Sequence, residues 1–278
     1  MKRALLFIVL ATLTQSAAAQ CKHTLPLRGA EGVRNCDDSK QRCLDPMKQV
    51  QKYMEKMAGN ADPSIVNVAL NASPWHFYDG EARILTPQEL ADRIRPAVAQ
   101  GSKSVRLAAS WSGVAPNEHT QSLAKQVATL LPDAQVTGAD GFLWINKDGK
   151  LRTTRHSSTV MQGRFYEVAE GDEVFISLAS GWFANFTEDF SAKKDVRLLR
   201  RAAAAWEIYM LCPERALRVF EFAAQLGEPV SAYNAALMRL ERHEAGDVEA
   251  ATALLTKAAD AGDAKSRERL QALRSNVR

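Results

Sequence analysis

Glu214-Arg215-Ala216-Leu217-Arg218-Val219-Phe220-Glu221-Phe222-Ala223-Ala224-Gln225-Leu226-Gly227 lies over Glu249-Ala250-Ala251-Thr252-Ala253-Leu254-Leu255-Thr256-Lys257-Ala258-Ala259-Asp260-Ala261-Gly262 at an offset of 35 residues. Glu214/Glu249, Ala216/Ala251, Ala223/Ala258, Ala224/Ala259, Gly227/Gly262 and Ser231/Ser266 are identical pairs. A fixed period of this size marks stacked helical hairpins. Each glycine stands where the first helix of its hairpin should stop, a natural left-handed cap. The alanine pairs before them let neighbouring helices approach closely. Asn234-Ala235-Ala236-Leu237-Met238 is expected to begin the returning helix. Two hairpins are few for a free-standing stack, so the tail should lean on the helix expected over Val196 to Leu211 and on what precedes it. Such arrays bind other molecules more often than they catalyse.

Upstream the pattern changes. Ile65 to Leu70, Ser104 to Ala109 and Ala134 to Thr137 read as short buried strands. Between the first two, Thr86-Pro87-Gln88-Glu89 is a capping box with proline in the first turn, followed by Leu90, Ala91, Ile94, Ala97 and Val98 at helical spacing and Gly101 as the stop. Between the second and third, Thr120 is expected to open a helix carrying Leu123, Val127, Leu130 and Leu131. Strand, helix, strand, helix, strand implies a parallel sheet. Phe142 to Ile145 and Leu151 to Thr154 flank the turn Asn146-Lys147-Asp148-Gly149 and should form a hairpin. Phe165 to Val168 and Val174 to Leu178 are further strand candidates, and the chain turns helical from about Asp189. The expected fold class is therefore an α/β domain, a parallel sheet extended by antiparallel hairpin strands, followed by an all-α helical-repeat domain. The divisions are 1–19, 20–62, 63–188 and 189–278.

The chain of 278 residues opens Met1-Lys2-Arg3, continues with an apolar run from Ala4 to Leu13, and reaches Ser16-Ala17-Ala18-Ala19. A basic start, a short apolar stretch and an Ala-x-Ala site read as a secretory signal cut after Ala19. The run is too short to span a bilayer, which takes about 20 residues. Gln20 before Cys21 disfavours a lipid anchor. Cleavage would remove Lys2 and Arg3, so the formal charge of +4 would become +2. A near-neutral chain without basic blocks interleaved with aromatics is a poor nucleic-acid binder. The expected location is periplasmic or secreted.

Cys21, Cys36, Cys43 and Cys212 all survive that cut. An even number in an exported chain suggests two disulfides, and four cysteines allow three connectivities. Cys36 and Cys43 close a short loop and are the natural local pair; Cys21 would then reach Cys212. Asp45 and Pro46 can start a helix with Met47, Val50, Met54 and Met57 on one face, ended by Gly59-Asn60. No Cys-x-x-Cys, no His-Glu-x-x-His and no histidine pair at helical spacing occurs, so neither metal nor cofactor is expected.

Over 214–274 the alanine pairs, the glycines and their spacing resemble the Sel1-like repeat, a relative of the tetratricopeptide repeat. That resemblance implies a scaffold for protein partners. Leu85 to Ala91, Val105 to Gly113 and Val136 to Trp144 resemble a degenerate caspase-like domain, akin to the self-cleaving cysteine-protease domains of large bacterial toxins, over roughly 64–150. In that family a histidine follows one strand and a nucleophilic cysteine the next. Here Ser110 stands at the cysteine position and Asn71-Ala72-Ser73 replaces the glycine-histidine-glycine motif, with His76 a few residues on. The fold is then either catalytically dead or uses Ser110 as nucleophile with His76 as base, Asp79 being available as an orienting group. Trp75, Trp111 and Trp182 lie near expected strand ends and could line a binding groove, core packing being the other reading. The leading expectation is a periplasmic protein-binding scaffold whose partner is another protein, such as a secreted effector, with an immunity or accessory role. A serine hydrolase and an envelope assembly factor are the alternatives.

Overall fold

The computed structural model describes residues 33–35, 52–53, 55–57, 64–154, 166–170, 173–177 and 182–275. The expected signal segment, Cys21, Cys36 and Cys43, the expected start of the Met-bearing helix, His23 and His156 lie outside the described residues. Within them, a sheet-containing region is followed by a region of helices, the class read from the pattern.

The parallel sheet has three strands, β2 (Ile65–Ala69), β6 (Ser104–Ala108) and β7 (Gln135–Gly138), in the order β2-β6-β7. Helix α1 (Pro87–Ala99) connects the first pair. Thr86 caps it: its hydroxyl accepts from Glu89 N–H and the Glu89 carboxylate accepts from Thr86 N–H, so two orphan donors are satisfied at once. Helix α2 (Leu123–Leu130) connects the second pair. Its cap is Ser122, whose hydroxyl accepts from Lys125 N–H, and not Thr120, which pairs with Asn117 in an isolated bridge. Leu90, Ile94, Leu123 and Val127 cover Val105 and Leu107 from one face of this sheet.

Ahead of α1 the chain makes a small antiparallel meander of β3 (Asn71–Ala72), β4 (Phe77–Tyr78) and β5 (Ile84–Leu85). The hairpin of β8 (Phe142–Asn146) and β9 (Leu151–Thr154) forms as expected, with Asn146 Oδ1 accepting from Asp148 N–H and Lys150 N–H inside the turn. It does not add to the parallel sheet. It joins β10 (Tyr166–Glu170), β11 (Glu173–Ser177) and β1 (Val33–Asn35) in a five-stranded antiparallel sheet of order β1-β10-β11-β8-β9. Leu143 and Ile145 pack with Ala108, Ala139 and Met57 where the two sheets meet.

The helices follow: α3 (Trp182–Asn185), α4 (Thr187–Ala192), α5 (Val196–Ile208), α6 (Pro213–Gln225), α7 (Pro229–Arg242), α8 (Asp247–Asp260) and α9 (Ala264–Ser275). The 35-residue offset superposes α6 on α8 and α7 on α9, two hairpins in succession. Gly227 and Gly262 sit just past α6 and α8 with φ of +97° and +95°, the left-handed backbone their positions called for. The returning helix begins at Pro229, not Asn234; proline at the first turn lacks only an N–H that would be orphaned anyway. Glu228 and Asp263 are its missed start signal. Each acid accepts from the N–H of the serine three residues on, Ser231 and Ser266. Tyr78, Ile84, Trp111, Phe142 and Trp144 share one apolar core with Leu199, Phe220, Leu237 and Leu255. The repeats therefore lean on the α/β half. No helix among the described residues is long and apolar enough to cross a membrane.

Two glycines separate backbone strain from steric conflict. A Cβ on Gly262 meets nothing within 4 Å, so Gly262→Ala should cost only the left-handed conformation, about 1 kcal/mol. A Cβ on Gly138 would lie 2.6 Å from Ser112 Oγ and 2.7 Å from Gly113 N. Gly138→Ala should therefore cost about 3 kcal/mol or more. Urea unfolding of both variants checks the order; equal midpoints would contradict it.

Candidate functional site at the junction of sheet and helices

The loop Ser73-Pro74-Trp75-His76 between β3 and β4 is a tight turn. Ser73 N–H donates to His76 O at 3.0 Å, and the Ser73 hydroxyl accepts from Trp75 N–H and His76 N–H at 3.0 Å each. The same hydroxyl donates to Glu207 Oε1 at 2.5 Å. Glu207 belongs to α5, between Trp206 and Ile208 just past the alanines 202–205, and is 0% exposed. His76 Nδ1 reaches that oxygen at 2.8 Å, and His76 Nε2 reaches Glu241 Oε2, from α7, at 2.7 Å. Only an imidazolium can donate at both nitrogens.

The electrostatics agree with that reading. Burial alone would lower the His76 pKa, but Glu207 and Glu241 outweigh it and hold it well above the ordinary value. Glu241 stands at the rim with its side chain 57% exposed. Its carboxyl end is withdrawn enough that burial alone would raise its pKa; the imidazolium outweighs this and keeps it low. Tyr78 stacks edge-on to His76, ring centroids 6.3 Å apart. Burial, then the charge of Glu207, pushes the phenol pKa well up. Tyr78 Oη and Glu207 Oε2 both lack a hydrogen bond of ordinary geometry, although the two groups are near enough to interact.

More polar contacts extend the junction. Asn234, fully buried on α7, accepts from Ile84 N–H at 2.9 Å and donates to Ala82 O at 2.8 Å. Arg83 pairs with Asp263 through both terminal nitrogens and lies 4.9 Å over the Tyr233 ring. Arg200 bridges Glu228 at 2.8 Å and Glu81 at 2.9 Å, and Lys265 meets Glu89. The sequence marked Asn234 and Glu89 only as helix-start residues, and it pointed to none of these pairings. Apart from Arg200 and Glu228, 28 positions apart, the partners lie 119 to 180 positions away, and no local spacing reports such a pair.

Ser110 and His76 are not joined. Ser110 is 3% exposed and its hydroxyl accepts from Leu143 N–H at 3.0 Å. Both nitrogens of His76 are taken by carboxylates. Asp79 is also committed elsewhere: its Oδ1 accepts from Glu81 N–H and Arg83 N–H and shapes the turn between β4 and β5. Trp111 is 1% exposed, sits edge-on to Phe142 and belongs to the core, not to a groove; Trp75 packs partly buried against the same core. Trp182 begins α3. Cys212 is disulfide-bonded, while Cys21, Cys36 and Cys43 lie outside the described residues. Among the described residues no group of three His, Cys, Asp or Glu could hold a metal ion.

The cluster dictates a sign for the pH dependence of stability. The folded-state pKa of His76 is raised above its unfolded value of about 6.5. Its stabilising contribution is complete below that value and is lost as pH rises through the folded pKa. The wild type should therefore lose thermal stability on the alkaline side, and His76→Gln should flatten that limb. Glu207→Gln should lower the His76 pKa, read by NMR titration. A His76 resonance that titrates at its ordinary pKa in the wild type would refute the charged cluster.

Residues 40–153 match a family model described as a domain of unknown function, DUF8616. The match takes in the parallel sheet with α1 and α2, the β3–β5 meander that carries Ser73 and His76, and all but the last residue of the β8–β9 hairpin, and it ends before helices α3 to α9. No curated protein and no solved structure matches the chain.

Proposed function

We propose that this chain is an exported protein-binding scaffold. In this reading Sel1-like repeats present the binding surface, and a caspase-like α/β domain that has lost catalysis supports them. The observation that carries the reading is that the Ser110 hydroxyl is bonded to Leu143 N–H and both nitrogens of His76 are held by carboxylates. A nucleophile needs a base within hydrogen-bond reach, and the base needs a free nitrogen. Neither condition holds. The helical hairpins favour binding over chemistry for the separate reason that the period of their caps repeats, as in arrays that display surfaces. The inner side of the array is already occupied by the 73–89 segment through Asn234, Asp263 and Glu241. The partner surface is then the outer side, where α8 exposes Val248 at 55% beside Thr252, Ala253 and Thr256.

The partner class that fits is a protein met in the periplasm, such as a secretion-system effector held inactive by an immunity or accessory protein. Capture from periplasmic extract with a photo-crosslinking residue at position 252 tests this. Recovery of a toxic hydrolase supports the immunity role, whereas an envelope component supports an assembly factor instead. The hydrolase alternative has its own test. Ser110→Ala leaves the buried Leu143 N–H without its acceptor and should cost about 1–3 kcal/mol of stability. It should leave the biological effect intact at a temperature well below unfolding. Loss of that effect in a folded Ser110→Ala protein would return Ser110 to the reaction.

A further inference from the structure

Strand β2 is the outer strand of the parallel sheet. An edge strand offers a row of backbone donors and acceptors to another strand. Leu70 N–H donates to Ala108 O, toward β6. Backbone groups alternate in direction along a strand. Those of Val66 and Val68 therefore also point to β6, and those of Ile65, Asn67 and Ala69 point outward. Residues 65–70 are all partly exposed. Ile65-Val66-Asn67-Val68-Ala69 carries none of the usual guards of an edge: no lysine, no proline and no inward charge. At its centre Asn67 Oδ1 is buried without a hydrogen-bond partner, and Asn67 Nδ2 reaches only Ile65 O, at 3.5 Å.

We propose that β2 pairs antiparallel with β2 of a second copy of this chain, about a two-fold axis at Asn67, fusing two parallel sheets into one of order β7-β6-β2-β2-β6-β7. The register follows from parity. Hydrogen-bonded pairs form only between residues whose backbone groups point outward, so the numbers of facing residues must add to an even total, and of the axes this allows the one at Asn67 gives the longest overlap. Asn67 then faces Asn67, and Ile65 faces Ala69, each pair exchanging N–H and C=O bonds with Cα atoms about 5.5 Å apart. At that spacing the two Asn67 side chains stand on the same face within reach of each other. After rotation of the amides, each Nδ2 can donate to the other's Oδ1 and so supply the acceptor's missing partner. On the opposite face Val66 meets Val68 of the second copy, which prolongs the apolar surface under the helices. The other edge is a poorer candidate: by the same alternation β7 turns outward only at Val136 and Gly138, and the 112–113 loop lies against Gly138.

A five-residue edge pair is small beside the roughly 1,200 Å² of a stable interface, so the association belongs to the micromolar-to-millimolar range. Sedimentation velocity on the mature full chain, at concentrations from about 5 to about 500 μM, is the test. The wild type should shift from monomer toward dimer. Asn67→Pro removes an outward donor and leaves the β6 ladder whole, which an edge position tolerates. Asn67→Asp sets two carboxylates against each other. Both variants should stay monomeric at the concentrations where the wild type pairs, with the far-ultraviolet circular dichroism unchanged. If Asn67→Pro does not fold, Asn67→Asp decides alone. A wild type that remains monomeric throughout overturns the proposal and leaves the edge to a strand of another protein. Association that persists in Asn67→Asp also overturns it.

Discussion

A carboxylate removed from water must be paired or neutralised, and Glu207 is fully removed from water. The helix that carries it, α5, cannot supply the partner, because Ala203 and Ala204 stand one turn before it and Met210 and Leu211 one turn after. The partners come from the loop between β3 and β4: a serine hydroxyl and an imidazolium on one oxygen. The helical half can thus be solvated or docked, but it cannot be docked at random. An apolar residue at 207 would bury as much surface without specifying which turn of α5 meets residues 73–76. The second nitrogen of His76 then extends the requirement to Glu241 on α7, two helices further on. A buried ion pair is weak evidence of net stability. Its contribution here is better described as register, because it ties the position of two helices to one short loop.

The repeat supplies the rest of the docking geometry. Glu228 and Asp263 occupy equivalent places at the 35-residue offset, and each caps the helix that follows it. Each also accepts an arginine from outside its own hairpin: Arg200 at the first, Arg83 at the second. One acid therefore satisfies the orphan N–H groups of a helix start and a guanidinium together. Anions are favoured at helix N-termini. At the second socket burial alone would raise the Asp263 pKa, but the hydrogen bonds from Arg83 and Ser266 outweigh it and hold the carboxyl below its usual range. Successive hairpins present successive sockets, the first taken by α5 and the second by the β4–β5 turn. The spacing of the repeat thus sets the spacing of the contacts that hold it to the sheets.

Much of the fold was legible because its signals are local. Thr86 and Glu89 announce a capping box within four residues, Asn146 to Gly149 announce a hairpin, and Gly227 and Gly262 announce two helix ends. The failures were local ambiguities or distant pairings. Thr120 and Ser122 are both plausible caps, and only the bridge between Asn117 and Thr120 removes the first from the helix. The β3–β5 strands are two residues each, too short to show alternation. The hairpin strands were read as an extension of the parallel sheet, yet β8 pairs with β11, which follows it in sequence by nearly thirty residues. The site was hardest. Glu207 and His76 are 131 positions apart, and a single glutamate on a helix looks like a solvated position until the opposing surface is known.

In open parallel sheets a ligand site lies beyond the carboxyl ends of the strands. That place exists here and is filled. After β6 the chain runs Ala109 to Gly113, and nearly every polar group in it has a structural partner. Trp111 N–H donates to Gly141 O, Gly113 N–H to Ala139 O, and the Ser112 hydroxyl to Ala109 O while it accepts from Ala139 N–H. Trp111 itself holds a φ of +63°, a conformation that a bulky residue adopts only under compulsion. The compulsion is visible: its ring is set against Phe142, and Phe142 against Tyr209 at the end of α5, with centroids 5.2 Å apart in both pairs. The strand end that would present a nucleophile to substrate instead turns its largest side chain under the helices. Opening a cleft there would break the contact that joins the two halves. In this chain the hydrogen bonds of 109–113 close the loop onto Ala139 and Gly141, and the strained tryptophan is the part that reaches the junction.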